Sequence, residues 1–530
     1  MVAIWLLAIA TLVPAAGAAQ LLSARNPAIP LPAGGNDNSS APSVSPDGRF
    51  VVFTSAANDL VPGGNSVSAL NVFLCDRSNT TVLVSGNWNG AGGGNGDSVS
   101  GQVSTNGQFV VFQSDASNLV PNDTNGVTDI FVRDLVAGTT TLVSVSTNGG
   151  PANGASTDPV ITPDGRYVAF ISSASNLVPG DTNGIPDIFV RDLVAGTNDL
   201  VSVGALLPSG STSPIMATPV ITPDGRYVAF FSLATNLVSA VPGTTPGEVY
   251  VRDRLLGAMT WASTNASTIV SAAYHQNNLN LLSYHPRLSD DGRYVAFKTG
   301  GTATAGTGAI LRYDSTAGTT ALVNTNGIGN SVDLDDNDGP EMTPDGRFIA
   351  FDRREGTQSS YSSVHVWDSQ GAVDTLVSDN GSGVQANTSS YAPVITPDGQ
   401  FVAFLSNVTN LTGNTVSNGC HVYLRNLQSS TTQLVDVDTN GIGSTDDYRA
   451  SLSLSADGRF VAFSSPDGRL VSLDKNRATD VFVRPRRGKH GNDFPKKCGG
   501  GSTIGRRVLL AASIVGQRGW PVGGLRQFGG

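Results

Sequence analysis

Residues 161–170 read ITPDGRYVAF, and residues 221–230 read ITPDGRYVAF again. Aligned on the turn, the same unit recurs as SPDG ending at Gly48, STNG at Gly107, TPDG at Gly165 and Gly225, SDDG at Gly292, TPDG at Gly346 and Gly399, and SADG at Gly458. These are eight units whose glycines lie 53 to 67 residues apart. Internal periods of that size specify a solenoid, a propeller or an array.

Each unit contains four strand-like runs. The third has DPVIT, RYVAFIS and DIFVRDL, followed by a run like TTTLVSV of the preceding unit. The middle two are almost continuously apolar, as in strands covered on both faces, which a blade wedged between two others requires. In the turn between the first two runs, Pro163 presets φ, Asp164 bonds nearby backbone and Gly165 accepts φ > 0, so the two strands form a hairpin.

The motif S/T-PDGRxVAF followed by DIFVRDxxxGTTxLVS resembles the TolB-type propeller repeat, a relative of the WD repeat, over roughly residues 20–485. The resemblance implies an all-β chain folded as an eight-bladed β-propeller of four-stranded antiparallel blades. It implies no chemistry, because such repeats serve unrelated functions. Seven units carry a fourth strand, near Leu83, Leu142, Leu200, Trp261, Leu322, Leu376 and Leu434; the eighth stops at DVFVRPRRG. An orphan QLLSAR precedes the first unit, with Leu21 placed 26 residues before Asp47, against 22 to 24 for the same step in most other units. The N-terminal strand is therefore expected to complete the last blade and close the ring, leaving few free edges. The rival, RRVLLAAS near Leu509, needs a connection of more than 20 residues.

Composition agrees with many short strands joined by polar turns: 39% hydrophobic, 14% charged and 62 glycines in 530 residues. The net charge of −10 argues against a nucleic-acid partner. Residues 1–19 have an apolar run ending in Ala16, Gly17 and Ala18, as in a secretory signal peptide, although no Lys or Arg precedes the run. A secreted or periplasmic location is expected on that basis. Residues 20–487 make the propeller, and the Gly-rich basic segment 488–530 reads as a disordered tail. No later stretch is long enough to span a bilayer. Three cysteines in unrelated contexts make no disulfide framework.

In an antiparallel blade, connections alternate between the two faces of the ring. The PDG and VAGT turns are short and share one face. The second-to-third loops and the links between blades are long and share the other, where binding residues are expected to concentrate. Three loops there repeat a carboxylate spacing: Asp123, Asn125 and Asp129; Asp181, Asn183 and Asp187; Asp474, Asn476 and Asp480. Oxygen ligands at alternate positions resemble part of a calcium loop, the one cofactor the sequence raises. None has the terminal bidentate Glu, and Asp and Asn also shape turns by bonding backbone, which is the stronger reading.

His275 and His285 flank YHQNNLNLLSYHP in the longest link; with Arg287 they are the ligand-binding candidates at the channel mouth. His365 and His421 are expected at blade surfaces, and R-D pairs such as Arg133 and Asp134 as blade-edge ion pairs. No HExxH or GxSxG occurs, and no catalytic residue is assigned. The leading expectation is a non-catalytic scaffold that binds a protein, peptide or glycan through the long-loop face. The alternatives are a calcium-stabilised adhesion module and a lyase or hydrolase using His275, His285, Arg287 and the Asp333 to Asp338 cluster.

Overall fold

The PDG turn is held by hydrogen bonds among its own residues. Thr162 Oγ1 donates to Asp164 Oδ1 at 2.6 Å, Asp164 Oδ1 accepts the Arg166 amide at 3.0 Å, and Thr162 Oγ1 accepts the Tyr167 amide at 3.0 Å. The equivalent hydroxyl donates to the equivalent Asp or Asn oxygen in all eight units, at 2.5 to 2.8 Å. Gly165 closes the turn at φ +78°, where a side chain is strained.

The computed structural model describes residues 19–486 apart from 25–33, 63–68, 78–79, 91, 208, 210–218, 240, 242–246, 276–280, 302–307, 325–338, 355–360, 380–387, 417–418, 439, 445–450 and 472–473. The expected leader and tail lie outside the described residues. Eight four-stranded antiparallel sheets form a ring of blades, seven of them with their strands in chain order from the first strand outward. Blade 3, for example, runs Ser156–Ile161, Tyr167–Ser172, Asp187–Asp192 and Thr197–Leu200. First strands touch the first strands of neighbouring blades and so surround the axis.

Ring closure follows the expectation. Gln20–Leu21 is the outermost strand of blade 8, with Gln20 opposite Val483 and Leu21 opposite Phe482, and Leu22 is fully buried beside it. The single helix among the described residues, Ala266–Tyr274, lies in the link between blades 4 and 5, where the sequence pattern announced none.

The middle strands are sealed on both faces. In blade 3, Phe170 and Phe189 stack with ring centroids 5.9 Å apart and are buried against blade 2, while Ala169 and Val190 pack toward blade 4. A similar ring pair recurs in blades 1, 2, 4, 7 and 8.

Each turn glycine also seats the next blade on the previous one. A Cβ on Gly225 would lie 2.2 Å from the Tyr167 ring of blade 3, and one on Gly165 would lie 2.2 Å from Phe109 of blade 2. The relation holds around the whole ring, from Gly48 on Phe460 to Gly458 on Phe401. The arginine after the glycine lies over its own aromatic neighbour, as Arg166 does over Tyr167 at 4.7 Å, and pairs with the Asp ending the third strand, Asp192, at 2.8 Å. This corrects the expected partners of the R-D pairs: Asp134 accepts from Gln108 at 3.1 Å, while Arg133 donates to Thr140 at 3.1 Å. Adjacent residues of a strand point to opposite faces, so Arg133 and Asp134 do not meet side by side.

Candidate functional site

At the long-loop end of six blades, the residue opening the third strand bonds a polar side chain just beyond the fourth. The pairs are Asn71 with Ser85, Asp129 with Ser144, Asp187 with Ser202, Glu248 with Ser263, His421 with Asp436 and Asp480 with Ser23. The serine is needed twice over, since its oxygen also accepts a third-strand amide, as Ser144 Oγ does from Ile130 at 3.1 Å. One buried slot thus holds different polar residues from blade to blade.

Three carboxylates of the sequence motif occupy this slot. Asp129 accepts from Ser144 on one oxygen and from Asn125 on the other, both at 2.5 Å. The Asn125 amide nitrogen also donates to Ala152 O in the link to blade 3 at 3.0 Å, and its Oδ1 accepts the Val127 amide at 3.2 Å. Asn183 with Asp187 and Asn476 with Asp480 repeat the clamp, the last reaching Gly35 O at 2.7 Å. The middle and last residues of each motif are therefore fully engaged in fastening a loop to a link.

The first residue of each motif is different. Asp123, Asp181 and Asp474 are buried, yet the Oδ1 atom of each has no hydrogen-bond partner. Burial pushes all three carboxyls above their ordinary range. Burial also raises Asp129 to about 6 and Asp480 to about 7, with repulsion from Asp123 and Asp474 adding to it. Asp187 moves in the same direction for the same reasons.

The histidine candidates have unlike surroundings. His275 is the exposed, left-handed cap of the helix, at φ +53°. His285 is buried in the innermost strand of blade 5, edge-on to the Tyr284 ring at 5.2 Å; burial, with Arg287 and Lys298 nearby, lowers its pKa to about 3. Arg287 bridges to Glu341 of the blade 6 inner strand at 2.7 Å, so it ties two blades together. Residues 276–280 and 333–338 lie outside the described residues.

Two further histidines, His365 and His421, are not at blade surfaces. His365 is buried, stacked on Phe351 in the ring position held by Phe189 in blade 3. Its Nδ1 meets Asp374 at 2.8 Å and its Nε2 meets Ser363 at 2.9 Å, while Arg353 pairs with Asp374 at 2.7 Å. Ser363 is only 1% exposed, so this Ser–His–Asp chain meets no substrate in the folded form described. His421 is fully buried against Asp436 at 2.9 Å, and Ser444 donates to the same carboxylate at 2.5 Å. The signal for both was positional: His365 stands where most sister units carry Phe or Tyr, and His421 where most carry Asp, Asn or Glu.

Among the described residues, no group of three His, Cys, Asp or Glu side chains is placed to hold a metal. The long-loop face does carry exposed apolar side chains: Trp88 at 61% exposure, Leu206 at 73%, and also Leu207, Tyr361 and Ile442.

No protein-family model matches the chain, and no curated protein does. Solved structures resemble it at low identity. Dipeptidyl peptidase 4 from Porphyromonas gingivalis is 11% identical over 81% of this chain and 56% of that one, with a TM-score of 0.51. TolB from Acinetobacter baumannii is 17% identical over 69% of this chain and 64% of that one, with a TM-score of 0.32. An oligogalacturonate lyase in complex with manganese is 14% identical over 72% and 87%, with a TM-score of 0.42. The chain thus spans less than two thirds of the peptidase and of TolB. At 11% identity the resemblance to the peptidase bears on the fold alone, and unrelated functions are built on one fold.

Proposed function

We propose that the protein is a secreted or periplasmic binding scaffold whose long-loop face holds a protein, peptide or glycan without transforming it. The observation carrying this reading is that, among the described residues, the exposed aromatic side chains Trp88 and Tyr361 stand on that face of the ring together with Leu206, whereas the short turns expose aliphatic ones such as Val136 and Leu255. Burying one such side chain under a ligand contributes about 1.5–3 kcal/mol, and tryptophan and tyrosine dominate binding hot spots. Two further facts support it. The recurring PDG aspartates hold turns, and most of the arginines after them pair with the Asp ending the third strand of their own blade. A scaffold so tied loses little freedom on binding, which favours recognition by shape and hydrogen bonding.

The test is selection from a peptide library and a glycan array, followed by variants on each face. Trp88→Ala or Leu206→Ser with Leu207→Ser is expected to weaken a selected ligand about tenfold or more, equivalent to about 1.4 kcal/mol. Val136→Ser with Val194→Ser, on the short-turn face, is expected to leave it unchanged. Dependence on the short turns alone, or turnover of the ligand during incubation, refutes the proposal.

A further inference from the structure

Three equivalent atoms in three separate loops are left without a partner: Asp123 Oδ1 in blade 2, Asp181 Oδ1 in blade 3 and Asp474 Oδ1 in blade 8. Their residues are 7, 8 and 7% exposed, so bulk water does not satisfy them. Every other polar side-chain group of the motif is bonded: each Asn uses its nitrogen on an Asp and on a link carbonyl, and each last Asp accepts from a Ser and an Asn. A buried carboxylate oxygen without a donor is strongly unfavourable, and its repetition at one position in three loops points to a missing partner common to all three.

The charge says what kind of partner. Each loop buries two carboxylates close enough to repel, Asp123 with Asp129, Asp181 with Asp187, and Asp474 with Asp480. Among the described residues, none of the six forms an ion pair with Arg, Lys or His. A water molecule supplies a hydrogen bond to the free oxygen but no charge, whereas a divalent cation coordinates that oxygen directly and supplies positive charge. The motif offers oxygen and no His or Cys, which selects a hard ion over zinc or copper. Each loop has a left-handed residue at the same position, Gly126 at φ +67°, Gly184 at φ +69° and Arg477 at φ +60°. An irregular loop of carboxylates, carbonyls and water suits calcium better than magnesium, which demands near-octahedral geometry.

We propose that the loops of blades 2, 3 and 8 each take one calcium ion through the free oxygen of Asp123, Asp181 and Asp474, with Asp129, Asp187 and Asp480 supplying the second negative charge. Blade 1, whose slot holds Asn71, takes none. The ions then fasten the second-to-third loops to the links between blades.

The test uses the full chain stripped with EDTA and dialysed. Calorimetric titration with calcium chloride is expected to show three equivalents, and added calcium is expected to raise the melting temperature in a concentration-dependent way. Magnesium at the same concentration is expected to raise it less. Asp123→Asn, Asp181→Asn and Asp474→Asn are each expected to remove one equivalent, and the triple variant all three together with the melting shift. No heat and an identical melt in calcium and EDTA overturn the proposal on the wild-type chain alone, whether or not a variant folds. Unchanged stoichiometry in a single variant that keeps the wild-type circular dichroism, or equal effects of magnesium, also overturn it. The outcome is independent of the ligand of the long-loop face, because chelation is read on stability and the Trp88 variants on capture.

Discussion

Gly225→Ala tests the seating of one blade on another. The new methyl carbon would stand 2.2 Å from Cδ2 and 2.5 Å from Cε2 of Tyr167, on a backbone held at φ +73°. Left-handed backbone with a Cβ costs about 1–2 kcal/mol. Forcing a methyl into a filled contact adds about 1–3 kcal/mol, giving about 2–5 kcal/mol in all. The ring cannot easily step aside, since Arg166 lies 4.7 Å and Arg254 5.1 Å from its centroid. Gly138→Ala is the control: φ is +69°, but nothing lies within 4 Å of the added carbon, so only the backbone cost of about 1–2 kcal/mol applies. Urea unfolding of both variants at constant m gives the two costs from the midpoints. Adding Tyr167→Ala to Gly225→Ala is expected to recover more than about 1 kcal/mol of coupling in a double-mutant cycle. Equal destabilisation by Gly225→Ala and Gly138→Ala, or no coupling to Tyr167, refutes the inter-blade role of the turn glycine.

Other perturbations separate surface pairs from buried ones. Arg166→Ala breaks a solvent-screened pair with Asp192 and is expected to move the unfolding midpoint little, whereas Asp379→Ala leaves the buried Arg425 of blade 7 without its 3.0 Å carboxylate and is expected to cost about 3–5 kcal/mol, both read by denaturant titration. His285 takes up a proton at about 3 in the folded chain but at about 6.5 when unfolded, so its contribution is complete above pH 6.5 and declines as the pH falls, by about 1.4 kcal/mol per unit. Asp129 and Asp480, raised to about 6 and 7, slope the other way, so the measurement is the difference between wild type and His285→Asn, expected to be flat above pH 6.5 and to fall below it. Deleting residues 1–24 removes the strand opposite Val483 and Phe482, and is expected to lower the melting temperature and increase self-association on gel filtration; an unchanged profile contradicts closure by this strand.

The ring was legible in the sequence because its determinants are local. A turn that needs Thr162, Asp164 and Gly165 at fixed offsets writes itself into every copy, and the missing fourth strand of unit eight pointed to Leu21 by simple spacing. What the pattern hid is contact across blades. The aromatic after each PDGR arginine looked like one more core residue, although its ring lies under the glycine of the following blade. Arg133 and Asp134 adjoin in the chain and diverge in space, so proximity in sequence misnamed their partners. His365 and His421 looked like surface residues because their carboxylates, Asp374 and Asp436, are 9 and 15 residues away and meet them only once the fourth strand is paired. In the candidate loops the spacing picked out side chains that the fold keeps close together. It could not tell that two of the three side chains are consumed in clamping and that one oxygen of the remaining one is not.

Pairing of Gln20 and Leu21 with Val483 and Phe482 also dictates an order of events during biosynthesis. The segment made first must wait, unmatched, for the segment made more than 460 residues later. At ribosomal speeds of about 5–20 residues per second that delay is on the order of half a minute or longer. Seven sheets can be complete while the outer edge of the eighth, already made, still lacks the three strands it pairs with, so the nascent molecule is an open arc until the last blade is added.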